Sequence, residues 1–286
     1  MNNEIKDRVE SVIGEAVKVS SYVGGGSIAD SKIIETKSGK RYFLKTGFNS
    51  TMFINEANGL KELQKANCIT VPKIIAADKQ FLLLELILPG RRSRDFWSIF
   101  GEQFALLHQY TNNSFGFYEN NFIGATPQLN IAEGNEKTDW VEFYFNKRLL
   151  PQYKLAEKNG YAREEFRRAF SVVEAKLEQV LEGSEEFPVL LHGDLWSGNF
   201  MTGTAGEPVL IDPAVYYGHR EADLAMTYLF GGFSDEFYNS YMSVYPLKEG
   251  WEHRINIYKL YHVLNHLNLF GTGYYGQAVG LMEYYR

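Results

Sequence analysis

The 286-residue sequence predicts an α+β fold in two lobes, a small β-rich lobe with one main helix over residues 1–88 and a larger, mostly helical lobe over 89–286. Three observations predict it. Short segments rich in β-branched and aromatic residues precede residue 89, long helical patterns dominate after it, and Pro89-Gly90 is a break suited to a hinge. Two lobes with a cleft between them commonly build a ligand site.

Turn signals and side-chain spacing define the elements of the first lobe. Residues 4–13 have the pattern of a short helix, and apolar residues recur on one face of a second helix over 51–67. Glycine-containing turns at 24–26 and 38–39 separate the first three strand-like segments. Strands are predicted over 17–23, 28–36, 41–46, 74–77 and 81–88.

The second lobe is dominated by helical patterns. Two short apolar strands interrupt them, at 188–191 and 208–211, and helices rich in Tyr and Leu follow from residue 221 onward. The earlier helices of this lobe are predicted over 96–110, 139–157 and 163–182.

Composition and charge exclude several classes of function. Twenty-nine Lys and Arg against 35 Asp and Glu give a net charge of −6, which disfavours binding to nucleic acid or to anionic membranes. The single cysteine, Cys68, cannot form an internal disulfide or a Cys-rich zinc site. No stretch has the apolar core of a signal peptide or the length of a membrane span. We therefore expect a soluble cytoplasmic protein, with a monomer favoured.

The strongest chemical signal is a His-x-Asp-x4-Asn pattern running from His192 through Asp194 to Asn199. Protein-kinase catalytic loops have this spacing, because the Asp meets the attacking hydroxyl while the Asn reaches a metal ion on the nucleotide phosphates. Thirteen residues later, Asp212 closes a short apolar strand where a kinase places its second Mg²⁺ ligand. An Asp with an ordinary pKa is ionised near pH 7 and can act as the base.

The first lobe contains the three parts that a kinase needs for ATP, in the required order. They are the loop Gly24-Gly25-Gly26-Ser27, Lys45 on the third strand and Glu56 on the following helix. Glycines let backbone N–H groups approach phosphates, and Glu56 is expected to pair with Lys45. The loop departs from G-x-G-x-x-G, and no Walker motif occurs. Backbone groups of Glu85, Leu86 and Ile87 are expected at the adenine edge.

Several segments resemble the fructosamine kinases, also called ketosamine 3-kinases, a branch of the aminoglycoside phosphotransferase-like and protein-kinase-like fold. The most specific is His192-Gly193-Asp194-Leu195-Trp196-Ser197-Gly198-Asn199. The likeness runs from about residue 4 to 286. Other similar segments lie at 25–28, 115–117, 120–130, 140–144, 212–226 and 261–268.

The resemblance implies that ATP phosphorylates the 3-hydroxyl of a ketosamine, the adduct of a sugar on an amine or a protein lysine, in deglycation. It implies Asp194 as base, Asn199 and Asp212 as Mg²⁺ ligands, and the first-lobe residues as the ATP site. Trp196 is a candidate for stacking on the sugar or the alkyl stem, and His266 for lining the acceptor pocket. Family members with a Cys in the glycine-rich loop differ from this chain, which has Ser27.

Other interpretations stay open at this point. The same catalytic residues would also serve an aminoglycoside or choline as acceptor. A non-enzymatic hypothesis is a pseudokinase that binds nucleotide and acts as a scaffold. The sequence does not distinguish fructosamine from ribulosamine or erythrulosamine, or a free amino acid from a protein acceptor. His262 and His266 share a helix face, but without a third ligand nearby they do not predict zinc.

Overall fold

A five-stranded antiparallel sheet forms the N-terminal part of the chain in the computed structural model, which describes residues 3–22, 29–47 and 50–286. The strand order is β1-β2-β3-β5-β4. Helix α1 precedes the sheet, and helix α2 connects β3 to β4. The elements are α1 (Asn3–Ile13), β1 (Val17–Tyr22), β2 (Asp30–Thr36), β3 (Arg41–Thr46), α2 (Met52–Ala66), β4 (Ile74–Ala77) and β5 (Phe81–Glu85).

Strand β5 explains how this sheet is held between the two helices. Successive side chains of a strand point to opposite faces. Phe81 and Leu83 pack in a small core with Ile5 and Val9 of α1. Leu82 and Leu84 instead join the large core that contains α2 and the helical part of the chain. A short apolar run without alternation therefore forms a strand that is covered on both faces.

The rest of the described chain is mostly helical and contains three short two-stranded sheets. Strands β8 and β11 pair with each other, as do β9 and β10, and β6 and β7. The helices are α3 (Phe96–Leu107), α4 (Trp140–Tyr144), α5 (Leu150–Lys158), α6 (Glu164–Leu181), α7 (Arg220–Thr227), α8 (Asp235–Val244), α9 (Trp251–Phe270) and α10 (Tyr275–Glu283). The strands are β6 (Asn121–Ile123), β7 (Thr126–Gln128), β8 (Val189–Leu191), β9 (Phe200–Thr202), β10 (Pro208–Leu210) and β11 (Tyr216–Gly218).

The predicted helix at 139–157 contains a π-helical turn, Phe145–Leu149, between α4 and α5. Arg148 of this turn is fully buried, and its guanidinium carbon lies 3.8 Å from the centre of the Tyr216 ring. It also donates a 2.7 Å hydrogen bond to Asn130 Oδ1. The π turn therefore carries one of the fully buried side chains of the core.

The α+β fold with a sheet followed by helices is confirmed, and most predicted elements agree with it to within a few residues. The run predicted as a strand over 81–88 ends as β5 at Glu85, shortly before Pro89. Strands β6, β7, β9 and β11 were not predicted because three residues are too few to show a period and each of these runs contains a polar residue or a glycine. The equally short β8 and β10 were predicted because their residues are all apolar. The lobe boundary between residues 88 and 89 stays a prediction. Within the described ranges, no helix has the length and apolar character needed to cross a membrane.

One histidine on α9 makes stability depend on pH. His262 is buried, and burial, helped by nearby His266 and Arg148, lowers its pKa to about 3 against the opposing charge of Asp223. The unfolded chain binds a proton at this residue near pH 6.5, whereas the folded chain does not. Stability is therefore lost as the pH falls below about 6.5.

We expect His262→Gln to remove part of this pH dependence. Between pH 6.5 and 5 the histidine costs roughly 2 kcal/mol, at about 1.4 kcal/mol per pH unit. Urea unfolding at pH 7 and pH 5 measures the difference in the free energy of unfolding, which becomes smaller in the variant. His253→Gln, at an exposed position of the same helix, is the control. An unchanged difference in His262→Gln contradicts the assignment.

Candidate active site

A cavity of about 250 Å³ lies between the N-terminal sheet with α2 and the helical part of the chain. It brings together side chains that are far apart in the sequence. Among the predicted site residues, it is lined by Lys45, Glu56, Asp194, Trp196, Asn199, Asp212 and His266.

The loop after β8 holds Asp194 and Asn199 at this cavity. Asn199 Nδ2 donates to Asp194 O at 2.7 Å and to Asp194 Oδ2 at 3.0 Å, so the amide orients the carboxylate. The backbone folds this tightly because Gly193 has φ of +82°, and a Cβ there would lie 2.0 Å from the carbonyl oxygen of Ala214. Glycine is therefore required immediately before Asp194.

His192 connects this loop to the strand that leads to Asp212. Its Nε2 lies 3.0 Å from Ile211 O, an acceptor, so the ring proton is on Nε2. Its Nδ1 then accepts from the Asp194 backbone N–H at 3.3 Å. Burial lowers the pKa of His192 against the opposing charge of Asp223, which keeps the ring neutral. The geometry supports a role of His192 in holding the loop rather than in proton transfer.

Asp223 of α7 holds the same loop through backbone hydrogen bonds. Its carboxylate accepts the backbone N–H of His192 at 2.7 Å and that of Gly193 at 2.8 Å. His108 Nε2 lies 3.2 Å from the carboxylate, and Tyr241 OH lies 2.7 Å from His108 Nδ1. Burial alone would raise the pKa of Asp223, but the hydrogen bond from His108 and the other donors lower it. A neutral His108 that accepts from Tyr241 and donates to an ionised Asp223 satisfies all three groups.

The pKa of Asp194 is not the ordinary value that the sequence led us to expect. Burial raises the pKa of this carboxyl well above its usual value, and the charges of Asp212 and Asp223 raise it further, while Asn199 acts in the opposite direction. Two carboxyls that share a cavity disfavour each other's ionisation. A cation bound between them would favour the ionised form.

Lys45 supplies the positive charge of the cavity. Its ammonium lies 2.7 Å from Glu56 Oε1 and 2.6 Å from Asp212 Oδ1. Burial alone would lower the pKa of Lys45, but these two carboxylates outweigh burial and raise it, so the residue is charged. The predicted pairing of Lys45 with Glu56 is present in the geometry. Asp212 has φ of +55°, an uncommon conformation in which Asp is one of the better tolerated residues.

Helix α2, which carries Glu56, is attached directly to the segment that follows Asp212. Tyr217 OH donates to Glu62 Oε1 at 2.8 Å, and both side chains are buried. Gly59 faces Val215, whose side chain would lie 3.2 Å from an added Cβ. These contacts hold α2 close to β11, which keeps Glu56 within reach of Lys45.

The oxygen donors at this end of the cavity fit a hard cation such as Mg²⁺. Asn199 uses its Nδ2 toward Asp194, which leaves Oδ1 as a donor oxygen, and Asp212 binds Lys45 through one of its two oxygens. In the described part of the chain no cluster of three or more His, Cys, Asp or Glu forms a metal site. The pair Asn199 and Asp212 nevertheless fits Mg²⁺, which takes one or two protein ligands together with phosphates and water.

The opposite end of the cavity is aromatic and amide-rich. The Trp196 ring folds back over Gly198, where an added Cβ would lie 2.5 Å from ring atoms. His266 donates through Nδ1 to His262 O at 2.7 Å, which leaves Nε2 as an acceptor. Asn121 and Asn265 also line this end, but both are engaged internally, Asn121 with Val215 O at 2.8 Å and Asn265 with Gln152 at 3.3 Å.

The remaining predicted site residues are not among the described residues that line this cavity. Gly24, Gly25, Gly26 and Ser27 lie outside the described residues. Glu85 ends β5, and Leu86 and Ile87 follow it. None of the three lines the described cavity, and the Glu85 carboxylate instead accepts the Lys73 backbone N–H at 3.3 Å. Their assignment to ATP stays a prediction.

Sequence reasoning gave no role to several residues that shape the site. Asp223 carried one available signal, since it is an acidic residue beside the apolar run Leu224-Ala225-Met226. His108, a single histidine at the end of α3, carried none. Glu62 resembles the many glutamates of wet helix faces, although it is buried here.

Comparison with known proteins identifies the family. The family model described as fructosamine kinase matches residues 1–285. The chain belongs to the fructosamine kinase family. It is 39% identical over 283 residues to the chloroplastic protein-ribulosamine 3-kinase of Oryza sativa subsp. indica, covering 95% of this chain and 80% of that protein.

Solved structures agree with this membership. A Thermobifida fusca protein assigned to the fructosamine-3-kinases is 31% identical to this chain and superposes with a TM-score of 0.89. The alignment covers 100% of this chain and 99% of that one. The ternary complex of streptomycin, ATP and APH(2″)-IIa has a TM-score of 0.65 at 14% identity, covering 99% and 96%. The likeness to APH(2″)-IIa shows the kinase-like fold alone, and it extends over 99% of this chain.

Proposed function

We propose that this fructosamine kinase family member transfers the γ-phosphoryl group of ATP to the 3-hydroxyl of ketosamines, the adducts of sugars on amines. The observation that carries the proposal is the convergence of Asp194, Asn199, Asp212 and Lys45 on one cavity, in the order and chemistry of a kinase site. The rice relative's name, protein-ribulosamine 3-kinase, supports the acceptor class. In the family such phosphorylation serves deglycation, which stays an expectation for this chain.

Each side chain then has one task. Asp194, oriented by Asn199, accepts the proton of the sugar hydroxyl as the oxygen attacks phosphorus. Its raised pKa makes it a better proton acceptor than an exposed aspartate. Lys45, held by Glu56, offsets charge on the phosphates of ATP.

Asn199 and Asp212 are the residues that would hold Mg²⁺. When bound, Mg²⁺ supplies positive charge beside the phosphates and helps to align them. We also propose that Gly24, Gly25, Gly26 and Ser27 cover the phosphates and that the backbone of Glu85, Leu86 and Ile87 meets adenine. On the acceptor side, Trp196 and His266 are proposed to contact the sugar or its amine.

An acceptor panel tests the proposal. With ATP and MgCl₂ we expect ADP release in the presence of ribuloselysine or fructoselysine, and a product phosphorylated at the 3-position by NMR. Kanamycin and choline test the alternative acceptors that the shared fold allows, and turnover of either without turnover of any ketosamine overturns the proposal. Nucleotide binding without turnover of any acceptor would favour the scaffold reading. A cytoplasmic location and a monomeric state stay predictions.

A further inference from the structure

The backbone after α7 adopts a rare conformation next to the acceptor end of the cavity. Phe230 has φ of +57°, and Gly231 and Gly232 follow with +102° and +72°. A bulky side chain seldom occupies this region, because its Cβ crowds the backbone. Such conformations persist where the surroundings impose them, and they occur often at ligand sites. The position of the Phe230 ring is therefore imposed by its surroundings.

Phe230 does not itself line the cavity, but its ring packs against two rings that do. Its ring centre lies 5.9 Å from that of Trp196 and 4.8 Å from that of His266, which both line the cavity. His266 in turn lies 5.5 Å from Phe270. Phe230 is 43% exposed and Phe270 57% exposed. We name Trp196, Phe230, His266 and Phe270 the aromatic rim, in which two exposed phenylalanines pack beside two half-buried rings. Exposed apolar surface of this kind often contacts ligands.

Charge divides the cavity into two ends. Its charged lining residues within the described ranges are Lys45, Glu56, Asp194 and Asp212, and they are joined by ion pairs or close together around the phosphate-transfer site. The aromatic rim offers ring faces and the acceptor Nε2 of His266. An alkyl chain that carries a cationic amine fits such a surface, because aromatic faces bury methylene groups and attract ammonium ions.

The covalent structure of a ketosamine connects these two ends. The reacting hydroxyl is on C3 and the amine is on C1, so about 4 Å separates C3 from the nitrogen at ordinary bond lengths. Trp196 lies two residues after Asp194 and lines the same cavity, so a substituent on the nitrogen can pass this ring when the C3 hydroxyl is at Asp194. The Phe230 ring packs edge-to-face against Trp196, with 71° between the ring planes.

We propose that Phe230, held by the left-handed backbone of residues 230–232, contacts the alkyl chain on the ketosamine nitrogen and determines the preference for it. The inference rests on the proposed function and deepens it. Phe230 is a specificity-determining residue for the amine part, whereas Asp194 acts on the sugar.

A homologous series of acceptors tests this role. Ribulosamines of methylamine, butylamine and hexylamine share the sugar and the charge, and they differ only in chain length. For the unaltered enzyme we expect kcat/KM to rise about tenfold from the methyl to the hexyl compound, well within what added methylenes contribute in an apolar site. In Phe230→Ala we expect a rise of less than about twofold, with the methyl compound turned over within about twofold of the unaltered rate.

Matched variants separate this effect from a loss of folding. Phe187→Ala removes a phenylalanine that is 78% exposed and lies outside the aromatic rim, and it is expected to keep the tenfold rise. Phe230→Leu keeps an apolar side chain and is expected to give an intermediate rise, which also covers the case in which Phe230→Ala does not fold. An added Cβ at Gly231 or Gly232 meets nothing within 4 Å, so alanine there tests the backbone alone. Gly280→Ala, also in open space but without positive φ, is its control.

The outcomes distinguish the two levels of the proposal. A full tenfold rise in Phe230→Ala and Phe230→Leu, or no chain-length dependence in the unaltered enzyme, overturns the role of Phe230 and leaves ketosamine phosphorylation intact. No turnover of any member of the series by the unaltered enzyme overturns the proposed function and, with it, this inference. A flattened profile in the Phe230 variants, and a partial flattening in Gly231→Ala or Gly232→Ala, supports both.

Discussion

Asp194→Asn is expected to lower kcat by about a thousandfold, the usual range for removal of a general base. Asparagine keeps the size of the side chain and can still contact Asn199 Nδ2, which lies 3.0 Å from the carboxylate. It cannot accept the proton of the attacking hydroxyl. Because the base acts mainly in the transition state, ATP affinity is expected to stay within about threefold of the unaltered value.

Two measurements check this prediction on the same sample. Coupled ADP release with a ketosamine acceptor reports kcat, and calorimetric titration with ATP reports binding. Asp95→Asn, at an exposed position with no cap hydrogen bond, changes the charge by the same amount and serves as the control. Turnover above about one tenth of the unaltered rate would refute Asp194 as the base.

Asp223→Asn is expected to have the largest effect on stability. The buried carboxylate accepts from two backbone N–H groups and from His108, and an asparagine amide would turn an N–H₂ group toward one of these donors. The loss of charge-assisted hydrogen bonds at a buried site costs about 3 kcal/mol. For a chain of this size that corresponds to a Tm lower by roughly 6 to 12 °C.

Activity should fall along with stability, since the backbone of His192 and Gly193 loses its support and Asp194 moves with it. Differential scanning fluorimetry measures Tm, and ADP release well below the new Tm measures kcat in the folded protein. Asp7→Asn on the exposed face of α1 is the matched control. A Tm within about 2 °C of the unaltered protein would contradict the structural role of Asp223.

The kinase-like order of the chain follows from local patterns, which explains why it could be predicted. The spacing of Asp194 and Asn199, with Asp212 after an apolar strand, is a property of adjacent residues, and so is the period of each long helix. The likeness to the family is also carried by short runs of adjacent residues along the chain. Strands β9 and β11 were missed because each has three residues, too few for a period, and neither is a continuous apolar run like β8 or β10.

Contacts between distant residues could not be predicted in this way. His108 and Asp223 are 115 residues apart, and Tyr217 and Glu62 are 155 apart, and no local pattern pairs them. The raised pKa of Asp194 likewise depends on burial and on carboxylates from other elements. The left-handed backbone at Phe230 is visible only once the chain has folded around Trp196 and His266.

The amino-acid sequence by itself determined the chemistry available to this protein, because residue types and their spacing in a loop set which groups can act as base, metal ligand and phosphate partner. The tertiary structure decided which of these groups meet and what holds them, because burial and packing act between segments that the sequence keeps apart. Asp194 illustrates both, since its spacing to Asn199 identifies it and the buried Asp223 holds its loop in place.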